Sequence, residues 1–116
     1  MPDRDCIFCR IAGGEIEAEV LYRDELVVAF RDTNPQAPTH VLVIPRKHIA
    51  TINDLEEQDA GSVGRLYLAA QQIAKDEGID QDGYRTVMNC MEGAGQSVFH
   101  MHLHVLGGRR LGWPPG

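Results

Sequence analysis

The chain has 116 residues, 43% of them hydrophobic and 24% charged, which fits one ordinary globular domain over residues 1–116 and leaves no room for a second core. Seventeen acidic residues against eleven basic ones give a net charge of −6, which argues against a nucleic acid polymer as main partner, because that binding rests on a basic surface. Neither a leader-like apolar run in "MPDRDCIFC" nor a membrane-length apolar stretch is present, so the sequence predicts a cytoplasmic protein with no membrane partner, whose three cysteines are thiols or metal ligands.

In chain order, "CIFCRIAGG" predicts a short helical turn stopped by Gly13 and Gly14, with Phe8, Ile11 and Ala12 on one side. Its Cys6-x-x-Cys9 spacing brings two thiols together. Completed by two histidines, such a pair makes a tetrahedral zinc site; otherwise the cysteines are small buried residues or reactive thiols. Spacing alone does not choose the partners among His40, His48, His100, His102 and His104.

"EVLYRD" and "LVVAFRD" read as a hairpin broken at Asp24 and Glu25, and "THVLVIPRKH" as a third strand stopped by Pro45, which has no N–H for a ladder. From about Asn53 or Asp54 the apolar period changes to the helical one at Val63, Leu66, Tyr67, Ala70, Ile73 and Ala74, with Asn53 or Asp54 as cap and Gly78 past the end. "YRTVMNC" is a further strand, in which Cys90 reads as a small core residue. The loop "MEGAGQS", a histidine strand and the irregular tail "GGRRLGWPPG" follow. The sum is an α+β domain: an antiparallel sheet of about five strands, one long helix and a short N-terminal helix.

The chemistry concentrates in "QSVFHMHLHVL". In a strand, His100, His102 and His104 share one face while Met101, Leu103 and Val105 fill the other. Imidazoles two residues apart lie about 7 Å from one another, the span of a phosphoryl group with its flanking oxygens, and neighbouring rings can divide the work of nucleophile and acid. In the loop before them, Gly93 and Gly95 let backbone N–H groups approach an oxyanion, and Gln96 and Ser97 add side-chain donors. Asp32 and Asn89 each end an apolar strand, where a carboxylate facing the same cleft would accept the hydroxyls of a ribose.

"GQSVFHMHLHVL" resembles the His-φ-His-φ-His-φ-φ signature of the histidine triad (HIT) superfamily. Together with "FRDTNPQAPTHVLVIPRKH" and "LGGRRLGWPPG", it makes the chain similar to the Hint branch, the histidine triad nucleotide-binding proteins, from about Cys6 to Gly116. That resemblance implies a HIT-like fold in a homodimer with a sheet joined across the two-fold axis. The activity it implies is hydrolysis of purine nucleoside 5′-phosphoramidates, with acyl-adenylates as a further substrate type, to AMP through a nucleotidyl-histidine.

By the same resemblance His102 is the nucleophile, while His104 positions the phosphate and protonates the leaving amine. His100 and His40 support the nucleophile's setting. Ser97 and Gln96 bind phosphate with Asn89 and Gly95 nearby, Asp32 holds the ribose, and Phe8, Ile11, Phe30 and Leu42 line the purine slot. Catalysis needs no cofactor. The Cys-x-x-Cys pair resembles that of zinc-binding microbial and transferase-related members, in which the structural ligands match Cys6, Cys9, His48 and His100. Thr33, Cys90 and Met91 depart from the Hint pattern and bear on base and leaving-group preference. The alternatives are a dinucleoside polyphosphate hydrolase of another HIT branch and a non-enzymatic, zinc-stabilised nucleotide-binding interaction protein.

Overall fold

The computed structural model describes residues 5–116. Five strands, β1 (Val20–Arg23), β2 (Val27–Arg31), β3 (Thr39–Pro45), β4 (Tyr84–Val87) and β5 (Leu103–Gly107), form one antiparallel sheet in the order β1-β2-β3-β5-β4. Its helices are the short α1 (Ile7–Ala12) and the long α2 (Ala60–Asp76). This is the α+β architecture expected from the sequence.

The alternation of side chains along the central strands divides the interior in two. Val27, Ala29, Val41, Val43, Leu103 and Val105 point to one face, where Leu66, Ala69, Ala70 and Ile73 of α2 cover them. The opposite face carries Val28, Phe30, Leu42 and Ile44, packed against Phe8, Cys9, Ile11 and Ala12 of α1. Because both faces are covered, β2 and β3 read as nearly continuous apolar runs. Leu66 and Ile73, at 0% and 1% exposure, each contribute about 1.5–3 kcal/mol through burial. The second face matters for function because α1 has only 6 residues and covers part of it. Across that face the register sets Phe30 opposite Leu42, and Leu42 opposite His104.

Four local expectations differ from the structure. Instead of a helix from Asn53 or Asp54, the chain makes two 3-10 turns, Ile52–Asp54 and Glu57–Asp59, before α2 begins. Thr51 closes the first turn: its hydroxyl accepts the Asn53 N–H at 3.0 Å, and the Asp54 carboxylate accepts the Thr51 N–H at 3.1 Å. Leu55 (φ −65°, ψ 139°) and Glu56 (φ −116°, ψ 164°) are then extended and interrupt the helix. Within α2, Tyr67 is 51% exposed and Ala69 takes the buried place. Cys90 is half-buried rather than a core residue. The histidine strand pairs only from Leu103 onward, so His104 lies in β5 while His100 and His102 precede it, still opposite in sense to Met101 and Leu103.

Candidate active site

The part of the sheet that α1 leaves open forms a cleft of about 530 Å³, within the range of small-molecule sites. Phe30, Leu42 and His104 lie along it, and Ile7, Phe8 and Ile11 of α1 make an apolar wall. Asp32, Thr33, Ser97 and His102 are among its polar lining. The cleft therefore joins an aromatic and aliphatic slot to a short row of donors and acceptors.

His102 sits with Nδ1 2.8 Å from the carbonyl oxygen of His100. A carbonyl only accepts, so Nδ1–H is the donor and Nε2 keeps its lone pair. Phe8 packs edge-on against this ring, with centroids 5.1 Å apart, and the His104 ring lies 5.0 Å away on the other side. The rings are closer than the strand spacing predicts because the strand geometry begins only at Leu103.

His40 is buried behind His104, its Nε2 2.9 Å from His104 Nδ1 and 3.4 Å from an Asp32 carboxylate oxygen. Its Nδ1 accepts the Gln36 main-chain N–H at 3.0 Å. Burial lowers the pKa of both rings: His104 falls to about 4, with the charges of His102 and His40 adding to burial and Asp32 opposing. Asp32, His40 and His104 are close enough to suggest a metal site. The Gln36 N–H argues against it, because the His40 nitrogen facing the cluster then carries the ring's hydrogen.

The loop before the histidines works differently from the sequence expectation. Gln96 is 4% exposed and its carboxamide is fully used: Oε1 accepts the Met91 N–H at 2.8 Å, and Nε2 donates to Ala50 O at 2.8 Å and Val98 O at 3.1 Å. Its side chain is a staple across the loop and has no hydrogen left for a phosphate. The amides of Ala94, Gly95 and Gln96 are not free for an oxyanion either, since they donate to Met91 O, Glu92 O and Met91 O. Met91 is held at φ 72°, ψ 171°, a strained backbone costing about 1–3 kcal/mol for a non-glycine residue. Ser97 is the member of the "GQS" segment that lines the cleft, whereas Gln96, Gly95 and Asn89 do not.

A second cluster lies behind α1. Cys6 Sγ is 3.3 Å from His100 Nδ1, Cys9 Sγ is 3.3 Å from His48 Nδ1 and 3.4 Å from His100 Nδ1, and the two Nδ1 atoms are 3.2 Å apart. The four donors converge within 4.8 Å of one another. A tetrahedron with Zn–N of about 2.0 Å and Zn–S of about 2.3 Å has edges of about 3.3–3.8 Å, close to these separations. The outer contacts suit a metal too, because His100 Nε2 lies 2.7 Å from Pro45 O and must donate there, which leaves Nδ1 as the lone pair. Burial, with the His48 and His102 charges, pushes this ring down to about 4, so it is neutral. His100 is not part of the cleft lining; its carbonyl accepts from His102, and its ring stands edge-on to Phe8 with centroids 6.0 Å apart.

Several wall residues carry no motif. Ile16 and Ala18 line the cleft, and the period-two alternation of "EIEAEV" was their available signal. Arg31 also borders it, but its guanidinium is taken by Glu77 at 2.8 and 3.0 Å and by Glu19 at 2.8 Å, so it braces the wall rather than awaiting a phosphate. That contact holds the Glu77 carboxyl below the usual carboxylate range.

The HIT domain model matches residues 13–111. The purine nucleoside phosphoramidase of Escherichia coli (strain K12) is 48% identical over 108 residues, covering 93% of this chain and 91% of that protein. A HIT family hydrolase from Legionella pneumophila Philadelphia 1 superposes with a TM-score of 0.94 at 52% identity, covering 97% of this chain and 100% of its own. A histidine triad protein from Clostridium difficile reaches a TM-score of 0.94 at 43% identity, covering 97% of both chains. Among the described residues, no helix is long and apolar enough to cross a membrane. With its open sheet face, its row of imidazoles and these likenesses, the chain belongs to the HIT domain family.

Proposed function

We propose that the protein hydrolyses purine nucleoside 5′-phosphoramidates of the adenosine 5′-monophosphoramidate type, yielding AMP and an amine through a nucleotidyl group on His102. One observation carries this reading: His102 Nδ1–H is committed to the His100 carbonyl, so in the neutral ring the lone pair is on Nε2, and this ring lines a nucleoside-sized cleft. Similarity to an enzyme named for that reaction supports it. In this scheme the purine enters between α1 and the Phe30–Leu42 row, and Asp32 accepts the ribose hydroxyls. Ser97 Oγ–H and His104 Nε2–H meet the phosphate oxygens, where fixed donors aid the substitution.

Rapid quenching during turnover of adenosine 5′-monophosphoramidate is expected to trap a nucleotidyl group on the His102 peptide, read by mass spectrometry. Cleavage of diadenosine polyphosphates with no phosphoramidate turnover would move the protein to the other HIT branch. Nucleotide binding without either reaction would leave a binding protein.

Two further assignments belong to this reading. Cys6, Cys9, His48 and His100 would hold a zinc ion, which when bound cross-links α1 to the segments flanking the core strands and, with four protein ligands, has no open position for substrate. A homodimer is supported by β4, a sheet edge with no strand neighbour beyond it among the described residues, and by the exposure of Tyr67 and Leu68 on α2. Sedimentation equilibrium is expected to return twice the chain mass; a monomer at micromolar concentration would rule the dimer out.

A further inference from the structure

The contacts around His40 determine how many hydrogens the catalytic rings carry. A neutral imidazole has one N–H. On His40 the Gln36 main-chain N–H donates to Nδ1 at 3.0 Å, so that nitrogen supplies a lone pair and the ring hydrogen is on Nε2. His40 Nε2 lies 2.9 Å from His104 Nδ1 and therefore donates to it, which puts the single hydrogen of His104 on Nε2. His104 borders the cleft, so this N–H is the one available to substrate.

A second proton has no place in this chain of contacts. On His104 Nδ1 it would meet the His40 Nε2–H. Shifting the His40 hydrogen to Nδ1 would bring it against the Gln36 amide hydrogen, which does not ionise. Conversely, if His104 gave up its Nε2 hydrogen, one ring of the pair would become an imidazolate. The Gln36 peptide is itself held, since Arg109 donates to the Gln36 carbonyl at 3.2 and 3.1 Å and the Gln36 carboxamide donates to Asn34 O at 3.0 Å.

We infer that His104 is a neutral hydrogen-bond donor during turnover and not the acid that protonates the leaving amine, and that His40 and the Gln36 main-chain N–H are positioning groups that impose this state. The inference rests on the phosphoramidase reading. The ionisable groups facing His104 are His102, His40 and Asp32; burial and the two histidines disfavour a charged ring, against the single carboxylate.

The reaction balances without His104 as acid. His102 Nε2 bonds to phosphorus while the P–N bond breaks with its electron pair on nitrogen. Water supplies the amine's proton, and the hydroxide left then displaces His102 from phosphorus to give AMP. His104 keeps its hydrogen throughout.

Nitrogen-15 NMR of the histidine rings in the native protein reads the proton positions directly and needs no substrate. His104 is expected to keep its hydrogen on Nε2 and a bare Nδ1 from about pH 5 to about pH 8. A second protonation of His104 with a pKa near about 6.5 would overturn the inference.

In His40→Ala the Nδ1 of His104 is free to take a proton, so the same NMR measurement is expected to show a second protonation of the His104 ring near about pH 6.5 that the native ring lacks. An unchanged titration in a folded His40→Ala protein would remove His40 as a positioning residue. If the native protein turns over no phosphoramidate, the proposed function fails while the NMR result still decides the proton positions.

Discussion

His102→Ala is expected to lower kcat by at least about 10⁴-fold and to abolish the trapped nucleotidyl adduct, because removing a covalent nucleophile forfeits the whole two-step route. AMP affinity should change much less. The apolar wall of Ile7, Phe8 and Ile11 and the Asp32 carboxylate remain, and the substitution removes a ring that binds through its reacting atom. The signature is thus a collapse of kcat with nucleotide binding retained, measured by single-turnover kinetics beside calorimetry with AMP. Turnover near the native rate would remove His102 from the nucleophile role. Loss of affinity to the same degree as rate would show instead that the Phe8 contact with this ring supports the purine wall.

The second large effect is expected from the cluster behind α1. Freshly purified reduced protein should carry close to one zinc per chain, and Cys9→Ala should carry none. Structural zinc contributes on the order of 10 kcal/mol in small domains, and even about 3 kcal/mol lost from a chain of this size lowers Tm by more than about 10 °C. Chelation of the native protein should therefore lower Tm by at least that amount, and should not shift Cys9→Ala further. Because α1 carries Ile7, Phe8 and Ile11 into the cleft wall, AMP affinity should fall together with the metal content. Metal analysis showing only a substoichiometric trace, or chelation that leaves Tm unchanged, would count against the site.

The difference between legible and hidden features follows from what a side-chain pattern records. Alternation placed His100, His102 and His104 opposite Met101, Leu103 and Val105 without any knowledge of the partner strands, since parity alone decides the face. Cys6 and Cys9 were visible as a pair. Spacing alone left their partners open and the family resemblance named His48 and His100; the segments after β3 and before β5 bring both within 3.4 Å of the Cys9 sulfur.

Main-chain contributions were invisible. Nothing in the letter Q at position 36 announces that its N–H points at His40, and nothing at position 96 announces that the carboxamide is spent on Met91, Ala50 and Val98. The start of α2 was misplaced for a related reason: Thr51 and Asp54 bonded to each other's backbone and stopped a turn that the apolar period would have continued.

The pairing of Leu42 with His104 has one more consequence. Suppose β5 slid by a single position along β3. Leu103 and Val105 would come out into the cleft, and the His104 imidazole would be driven among the aliphatic side chains beneath α2, where no partner waits for its polar atoms. A molecule folded out of step could neither cohere nor react, so the ladder that assembles the interior also certifies the enzyme.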